Sequence, residues 1–169
     1  MPQLDDETFL RRSFDLARRS RARGNHPFGA VLVNSAGEVL IEAENGFLPD
    51  RDMTGHAERL IATAACKQIA PAILTGATLY SSAEPCAMCA GAIYWAGIGR
   101  VVFGLSERRL KEMTGNHREN PTLDLPCRIV FAAGQRKVDV VGPLLEDEAA
   151  KLHRDVWRSE NEEIGGDER

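Results

Sequence analysis

The sequence predicts an α/β fold in which a mixed β-sheet carries helices on its faces. Amphipathic helical patterns alternate with short apolar strand patterns, in the order αββαβαβ followed by a final helix. Turns that contain glycine or proline separate these patterns, with neither an internal repeat nor an interdomain linker between them. The 169 residues are enough to bury one core, so we expect a single domain over 1–169, with 160–169 as a frayed tail.

The first half of the chain predicts a helix, a β-hairpin and a second helix. Leu10, Phe14 and Ala17 recur at helical spacing in the first segment, whose other face carries arginines. The second helix has an apolar stripe at positions i, i+3, i+4, i+7 and i+8. In chain order, the predicted elements are a helix over 5–23, strands over 28–33 and 39–43 joined by a turn at 34–37, and a helix over 55–68.

The second half continues the alternation of strands and helices. Pro85 suits the first turn of a helix, where its missing N–H is not needed, and Gly97 and Gly99 end that helix. The polar segment 114–126 contains proline and predicts an irregular loop. The other predicted elements are a strand over 77–81, helices over 85–96 and 106–113, a strand over 100–104, a final strand at either 128–132 or 138–141, and a last helix over 146–163.

Composition and charge narrow the functional class. A hydrophobic fraction of 43% and a charged fraction of 27% are typical of a globular protein in water. The net charge of −4 disfavours nucleic acid as the main partner. The acidic start of the chain lacks the pattern of a signal peptide, and no apolar run approaches the roughly 18 residues that a membrane helix needs. We therefore expect a cytoplasmic protein that does not work on a membrane.

Two short motifs carry the chemistry: His56-Ala57-Glu58 and, thirty positions after that histidine, Pro85-Cys86-Ala87-Met88-Cys89. Cysteines at i and i+3 share one helix face, so the two motifs together supply three zinc ligands. Three protein ligands leave one corner of a tetrahedral zinc open, where a water can lose a proton near neutral pH and become a nucleophile. Glu58 is then an unliganded carboxylate that is well placed to move protons.

Both motifs begin predicted helices, which supports one shared site. Helix N-termini favour the thiolate that zinc requires, and ligands in α/β sheets often bind where a strand leads into a helix. Two alternatives remain open. A thiol oxidoreductase would need both cysteines free of metal, and a structural zinc would need a fourth protein ligand. The candidates for that ligand, none of them at zinc-finger spacing from the cysteines, are His26, His117, His153, Cys66 and Cys127.

The pairing of the two motifs resembles the signature of the zinc nucleobase deaminases. From about Phe9 to Leu105, the chain is similar to the cytidine deaminase-like superfamily, in the branch of guanine deaminases, fungal-type cytosine deaminases and tRNA adenosine deaminases. This resemblance implies a three-layer α/β/α sandwich with a central five-stranded mixed sheet, and a homodimer. The segments that carry it are Pro27-Phe28-Gly29-Ala30-Val31, Asn45, His56-Ala57-Glu58, Glu84-Pro85-Cys86-Ala87-Met88-Cys89 and Gly91-Ala92-Ile93.

The resemblance also implies a reaction and the residues that perform it. It implies Zn²⁺ bound by His56, Cys86 and Cys89, with Glu58 as the proton shuttle. The reaction is then the hydrolytic conversion of an amino group on a nucleobase, nucleoside or related heterocycle to a carbonyl, with release of ammonia. A binding module that merely kept the zinc would have no need of Glu58.

Substrate contacts are expected from four further residues. Asn45 resembles the family's asparagine that hydrogen-bonds the substrate ring, and Ala57 lies between the first zinc ligand and the proton shuttle. Phe28 and Trp95 are aromatic residues that could stack on a flat base, or could simply pack in the core. The sequence around both aromatics resembles guanine deaminases, so a guanine-deaminase-like activity is predicted, with cytosine, isocytosine or an aminotriazine as other substrates.

A tRNA-specific adenosine deaminase is the alternative prediction. The stretch Arg18–Arg23 could bind a polyanion, although such a run is more often a solvated helix face. Against this alternative, residues 146–169 carry a net charge of −5 (four basic against nine acidic residues).

The segment 106–127 departs from guanine deaminases, and its His117 either lines the pocket or lies at the surface. Arg59, directly after Glu58, stands where we expect an apolar residue in the relatives.

Overall fold

The computed structural model describes residues 4–115 and 117–157, and shows an α/β/α sandwich. The five strands form one sheet in the order β2-β1-β3-β4-β5. The elements are α1 (Asp6–Ala22), β1 (Gly29–Val33), β2 (Val39–Glu44), α2 (Ala57–Gln68), α3 (Pro71–Thr75), β3 (Thr78–Ala83), α4 (Ala87–Ala96), β4 (Arg100–Leu105), α5 (Glu107–Thr114), α6 (Cys127–Ala132), β5 (Asp139–Val141) and α7 (Glu146–Lys151).

The sheet is mixed, as predicted. Strand β1 runs antiparallel to both of its neighbours, β2 and β3, whereas β3, β4 and β5 are parallel to one another. The carboxyl ends of β3 and β4 therefore lie at one edge of the sheet. Because β1 is antiparallel to β3, the start of β1 and the end of β2 lie at this same edge.

Helices cover both faces of the sheet and create two apolar cores. On one face, α2, α4 and α6 pack Ile61, Ile93 and Phe131 against the alternate strand residues that include Leu32 and Leu79. On the other face, helices α1, α5 and α7 pack on the opposite side chains of the same strands. The members of this second core include Leu10, Phe14, Val31, Tyr80, Val102, Leu110 and Ala149.

Helix α1 approaches β1 very closely at Gly29. A methyl group on Gly29 would lie 2.5 Å from Leu16 Cβ and 2.6 Å from the backbone N of Ala17. Only glycine therefore allows this distance between helix and strand. The contact fixes the start of β1, directly after Phe28.

The C-terminal third contains most of the differences from the sequence prediction. The apolar run 128–132 forms helix α6, so the last strand is the alternative at 138–141, as β5. Helix α7 ends at Lys151 and not at 163, because the chain turns there and Asp155 adopts a left-handed φ of 59°. Residues 158–163 of the predicted helix and the expected tail at 160–169 fall outside the described residues. The short helix α3 was not predicted.

Within the described part of the chain, no helix has the length and apolar character needed to cross a membrane.

Candidate active site

The starts of two helices bring the two sequence motifs together at the carboxyl edge of the sheet. His56 is the N-cap residue of α2, and Glu58 lies in the first turn of that helix. Cys86 is the N-cap residue of α4, and Cys89 lies in its first turn. Helices α2 and α4 pack side by side on the same face of the sheet, so the two N-termini meet.

The three predicted ligands have the spacing that a tetrahedral zinc requires. His56 Nδ1 lies 3.6 Å from Cys86 Sγ and 3.5 Å from Cys89 Sγ, and all three atoms are within 4.8 Å of one another. With Zn–S about 2.3 Å and Zn–N about 2.05 Å, a tetrahedral ion separates sulfur from nitrogen by about 3.6 Å. Among the described residues, these three are the only group of such side chains placed to hold a metal ion, and none of the five candidates for a fourth ligand joins them. The donor set therefore fits a zinc with one open position.

One of the two thiols is already disposed to release its proton. A hydrogen bond from Cys89, together with the nearby His56, lowers the pKa of the Cys86 thiol to about 4. The pKa of Cys89 is raised, because its thiol donates to Cys86 and because it is buried. A divalent cation would favour the second thiolate by neutralising the charge of the first.

Glu58 is buried directly beside the sulfur ligands. Its Oε1 accepts a 2.8 Å hydrogen bond from Ser81 Oγ, and its Oε2 lies 3.8 Å from Cys89 Sγ. The carboxyl group is 5% exposed, and burial raises its pKa above the usual value for glutamate. A carboxyl group whose pKa is raised holds a proton more readily than an ordinary glutamate, which suits a general acid–base residue.

A cleft of about 600 Å³ opens onto these groups. This volume lies within the usual range for small-molecule sites. Five carboxylates line the cleft, and among its described lining residues there is no lysine or arginine. The lining residues are His26, Phe28, Asn45, Phe47, Asp52, Met53, His56, Glu58, Ala83, Glu84, Cys86, Glu107, Leu110, Glu119 and Asn120.

Two of the four predicted substrate contacts line the cleft. Asn45 follows β2, and its backbone N–H donates to Phe28 O at 3.0 Å, so the two residues are held side by side. Asn45 Oδ1 accepts from the Phe47 N–H at 3.0 Å. The Asn45 amide N–H groups have no protein partner among the described residues, and remain available to a ligand.

Trp95 does not reach the cleft, so the prediction that it stacks on a base is wrong for the single chain. Helix α4 turns Cys89 and Ile93 inward, which places Trp95 on its outer face with 84% exposure. The side chain of Ala57 is fully buried in the core and does not line the cleft either. A substrate contact through its backbone N–H in the first turn of α2 stays a prediction.

Two glutamates to which the sequence analysis assigned no role, Glu84 and Glu107, also line the cleft. Glu84 and Glu107 follow the ends of the parallel strands β3 and β4, and this shared edge was the signal that could have identified them. Glu84 is buried and accepts from the backbone N–H groups of Glu107 at 2.9 Å and of Cys127 at 3.0 Å. Burial raises the pKa of Glu107 to about 8, and the negative charges of Cys86 and Glu84 act in the same direction.

Aromatic rings and one histidine–glutamate hydrogen bond form the outer wall of the cleft. His26 Nε2 lies 3.0 Å from Glu119 Oε2, and this contact lowers the pKa of the Glu119 carboxyl group. Trp157 packs its ring 5.0 Å from His26, measured between centroids, and 5.4 Å from His117. His117 is half-buried against Trp157 and does not line the cleft, whereas its neighbours Glu119 and Asn120 do.

His153 lies behind this aromatic wall, 2% exposed. Its Nδ1 accepts from Trp157 Nε1 at 3.2 Å, and its Nε2 has no partner among the described residues. Burial lowers the pKa of His153 to about 4, so the ring is neutral near pH 7.

Arg59 anchors the loop that carries two of the lining residues. Its guanidinium donates to Asp52 Oδ2 at 2.9 Å and also to the backbone carbonyl of Thr54. The Asp52–Met53 segment is thereby held over the site. This role explains an arginine where an apolar residue was expected.

The arginines of α1 are engaged within the molecule. Arg19 and Arg23 both pair with Glu44 of β2, at 2.8 and 3.1 Å. Arg12 pairs with Glu42 on the same strand, and Arg18 pairs with Asp15 within the helix. The segment Arg18–Arg23 is therefore largely neutralised by nearby carboxylates.

This sandwich, with three zinc ligands and a buried carboxyl group at one sheet edge, defines the zinc-dependent hydrolytic deaminase class. The chain belongs to the family described as the cytidine and deoxycytidylate deaminase zinc-binding region, whose family model matches residues 3–105. It is 40% identical to a probable cytosine deaminase of Schizosaccharomyces pombe over 152 residues, which are 90% of this chain and 92% of the relative.

Two further similarities concern other members of this group. The chain is 39% identical to a tRNA-specific adenosine deaminase of Bacillus subtilis over 99 residues, covering 59% of this chain and 61% of that one. The solved structure of a guanine deaminase from Nitrosomonas europaea superposes with a TM-score of 0.74 at 25% identity, over 90% of this chain and 85% of that chain. The predicted family, fold and zinc cofactor are thus confirmed, whereas the roles of the individual site residues stay predictions.

Proposed function

We propose that the protein hydrolytically deaminates a small aminated heterocycle, converting C–NH₂ to C=O with release of ammonia. The observation that carries this proposal is the position of Glu58, whose carboxyl group lies 3.8 Å from Cys89 Sγ within the cluster of metal ligands. A structural zinc site has no use for a buried carboxyl group at an open coordination position. This chemistry needs one there, because protons must move between water, ring and leaving amine.

The residues of the site have three roles: to bind the metal, to transfer protons and to orient the substrate ring. His56, Cys86 and Cys89 would hold a zinc, which supplies a Lewis acid that makes water acidic near neutral pH. Glu58 would accept one proton from the attacking water and pass it to the ring nitrogen. It would then take the second proton from the hydroxyl group that the water has added to the ring carbon, and deliver it to the departing amine as the C–N bond breaks. The Ser81 hydroxyl group fixes the Glu58 carboxyl group during both transfers. The Asn45 amide orients the ring.

A free pyrimidine or purine base is the substrate that we propose, with cytosine tested first and guanine second. The similarity to the probable cytosine deaminase extends over most of both chains, and the guanine deaminase shares the fold over a comparable length. Isocytosine and aminotriazines would suit the same chemistry. The tRNA alternative has less support, because the cleft is acidic and the arginines of α1 are paired with carboxylates.

We also propose that the chain acts as a single-domain, cytoplasmic homodimer. Trp95, which is 84% exposed in the single chain, lies on the outer face of α4 next to Tyr94 and would be covered by a second copy. The free thiols of Cys66 and Cys127 are those of a protein kept in a reducing compartment. Analytical ultracentrifugation of the wild type and of Trp95→Ala tests the dimer.

The test of the function is ammonia release by the purified, zinc-loaded enzyme over free bases, nucleosides, triazines and a tRNA anticodon stem-loop. Glu58→Gln should lower kcat about 10²- to 10⁴-fold on the accepted substrate, while metal analysis still finds one zinc per chain. The matched control is Glu112→Gln, an exposed change on α5 that should leave both values unaltered. Near-normal turnover by Glu58→Gln, or activity confined to the stem-loop, would contradict the proposal.

A further inference from the structure

One carboxylate of the cleft differs from all the others in having no partner. The other four are satisfied by groups of the protein: Asp52 by Thr54 and Arg59, Glu58 by Ser81, Glu84 by two backbone N–H groups, and Glu119 by His26. Glu107 as a residue is 5% exposed and lines the cleft, and its carboxyl group accepts no hydrogen bond from any described residue.

The position of Glu107 is fixed even though its carboxyl group is unpaired. It is the first residue of α5, after the N-cap residue Ser106, whose side chain accepts from the Arg109 N–H. Its own backbone N–H is held by Glu84 Oε2. The side chain therefore projects from a rigid base at the end of β4, so its missing partner does not result from a loose loop.

Among the described residues, His153 Nε2 is the only buried side-chain atom without a hydrogen-bond partner, so the Glu107 oxygens face the solvent of the cleft. A ligand that displaces this solvent must itself satisfy them. The charges that act on Glu107 are all negative: Cys86, Glu84, Glu58 and Asp124. No described lysine or arginine lines the cleft to compensate them. Once solvent is displaced, the hydrogen-bond partner of Glu107 therefore comes from the ligand, and an N–H donor supplies it.

We infer that Glu107 is a specificity-determining residue that accepts a hydrogen bond from an N–H group of an unphosphorylated base. The inference rests on the proposed function and deepens it by naming the substrate group that the cleft recognises, an N–H of the base. Free bases offer ring and amino N–H donors, and carry no negative charge. A nucleoside phosphate would place its anion among five carboxylates, so the cleft should reject it.

The decisive variant is Glu107→Gln, which keeps the shape of the side chain and replaces one of its two oxygens by an NH₂ group. For the best free base, we expect KM to rise about 10- to 100-fold with a smaller change in kcat, because an oxygen that accepts from the substrate N–H is lost. The Tm of the zinc-loaded variant should be unchanged or higher, because no protein contact is lost. A residue with a merely structural role would lower Tm and leave KM alone. Glu112→Gln, on the exposed face of the same helix, is the matched control.

The substrate panel adds cytidine 5′-monophosphate and deoxycytidine 5′-monophosphate. Their kcat/KM in the wild type should be at least 100-fold below that of the best base. An unchanged KM in Glu107→Gln, a KM that rises only together with a fall in Tm, or comparable turnover of the monophosphates would each overturn the inference.

Binding separates this inference from the proposed function. Calorimetric titration of zinc-loaded Glu58→Gln with the best base, or with cytosine if the wild type turns over none, measures affinity without turnover. The double variant Glu58→Gln/Glu107→Gln should bind the same base at least 10-fold more weakly than Glu58→Gln alone. Absence of ammonia release by the wild type would refute the function, whereas equal affinity of the two variants would refute the role of Glu107.

Discussion

Glu84 is the carboxylate whose removal should damage the fold rather than the chemistry. It follows β3 directly, and it ties the starts of α5 and α6 to the sheet through the backbone N–H groups of Glu107 and Cys127. Glutamine has the same shape but only one acceptor oxygen. In Glu84→Gln, one of these two buried N–H groups must therefore face the amide nitrogen of the new side chain, without a partner.

The size of the effect follows from those two contacts. Each hydrogen bond to a buried carboxylate contributes about 1.5–3 kcal/mol, and an unsatisfied buried donor costs about 1–3 kcal/mol. One bond is retained in weakened form and the other is lost, so the free energy of unfolding should fall by about 3 kcal/mol. For a chain of this length, that corresponds to a Tm lower by roughly 6–12 °C.

Urea denaturation of the zinc-loaded protein, monitored by circular dichroism, measures this loss directly. Glu112→Gln is again the control, because an exposed substitution on α5 should change stability by less than about 0.5 kcal/mol. If the free energies of unfolding of Glu84→Gln and the wild type differed by less than about 0.5 kcal/mol, the two hydrogen bonds from backbone N–H groups to Glu84 would not contribute to stability, which would refute this prediction.

Two further predictions concern packing and pH. Gly29→Ala should lower the free energy of unfolding by about 3 kcal/mol, because the new methyl group meets the backbone of α1, whereas Gly91→Ala, which meets nothing within 4 Å, should be neutral or slightly stabilising in the same denaturation assay. For His153, the pKa of about 4 lies below the 6.5 of a free histidine, so between these values the folded state binds fewer protons than the unfolded state. The stability that it contributes is complete above pH 6.5 and is lost as pH falls toward 4, by about 3 kcal/mol in all. Unfolding free energies measured at pH 7.5 and pH 4.5 should therefore differ less in His153→Asn than in the wild type, and an identical pH dependence would contradict this role.

The sequence alone predicted the parts of the molecule whose structure depends on a local residue pattern. The helical periodicity of Leu10, Phe14 and Ala17 and the alternation of strands and helices predicted the sandwich. The i, i+3 spacing placed the two cysteines on one helix face, and the resemblance to the deaminase signature predicted that they would meet His56. The helices, the strands and the cysteine pair depend on periods within a single segment, whereas the meeting with His56 depended on the resemblance.

The sequence predictions fail where contacts between distant segments determine the orientation of a side chain or the end of a helix. Helix α4 is apolar on all sides, so its pattern could not tell that Trp95 faces outward while Ile93 faces inward. The chain leaves the helix after Lys151, and Trp157 then packs its ring near His26 on the cleft wall, a contact between residues far apart in sequence. The importance of Glu107 became visible only once the partners of every other carboxylate in the cleft were known.

The pairing of α1 with β2 has a consequence for solubility. Strand β2 is an edge of the sheet, and its outer backbone groups could pair with a strand of another molecule. Glu42 and Glu44 place charge along this edge, and the α1 guanidinium groups of Arg12, Arg19 and Arg23 hold those carboxylates in place. An incoming strand would have to dehydrate this ladder of ion pairs before it could add to the sheet. The arginine-rich stretch, which in the sequence alone resembles a binding site, thus protects the folded protein against aggregation through its exposed strand.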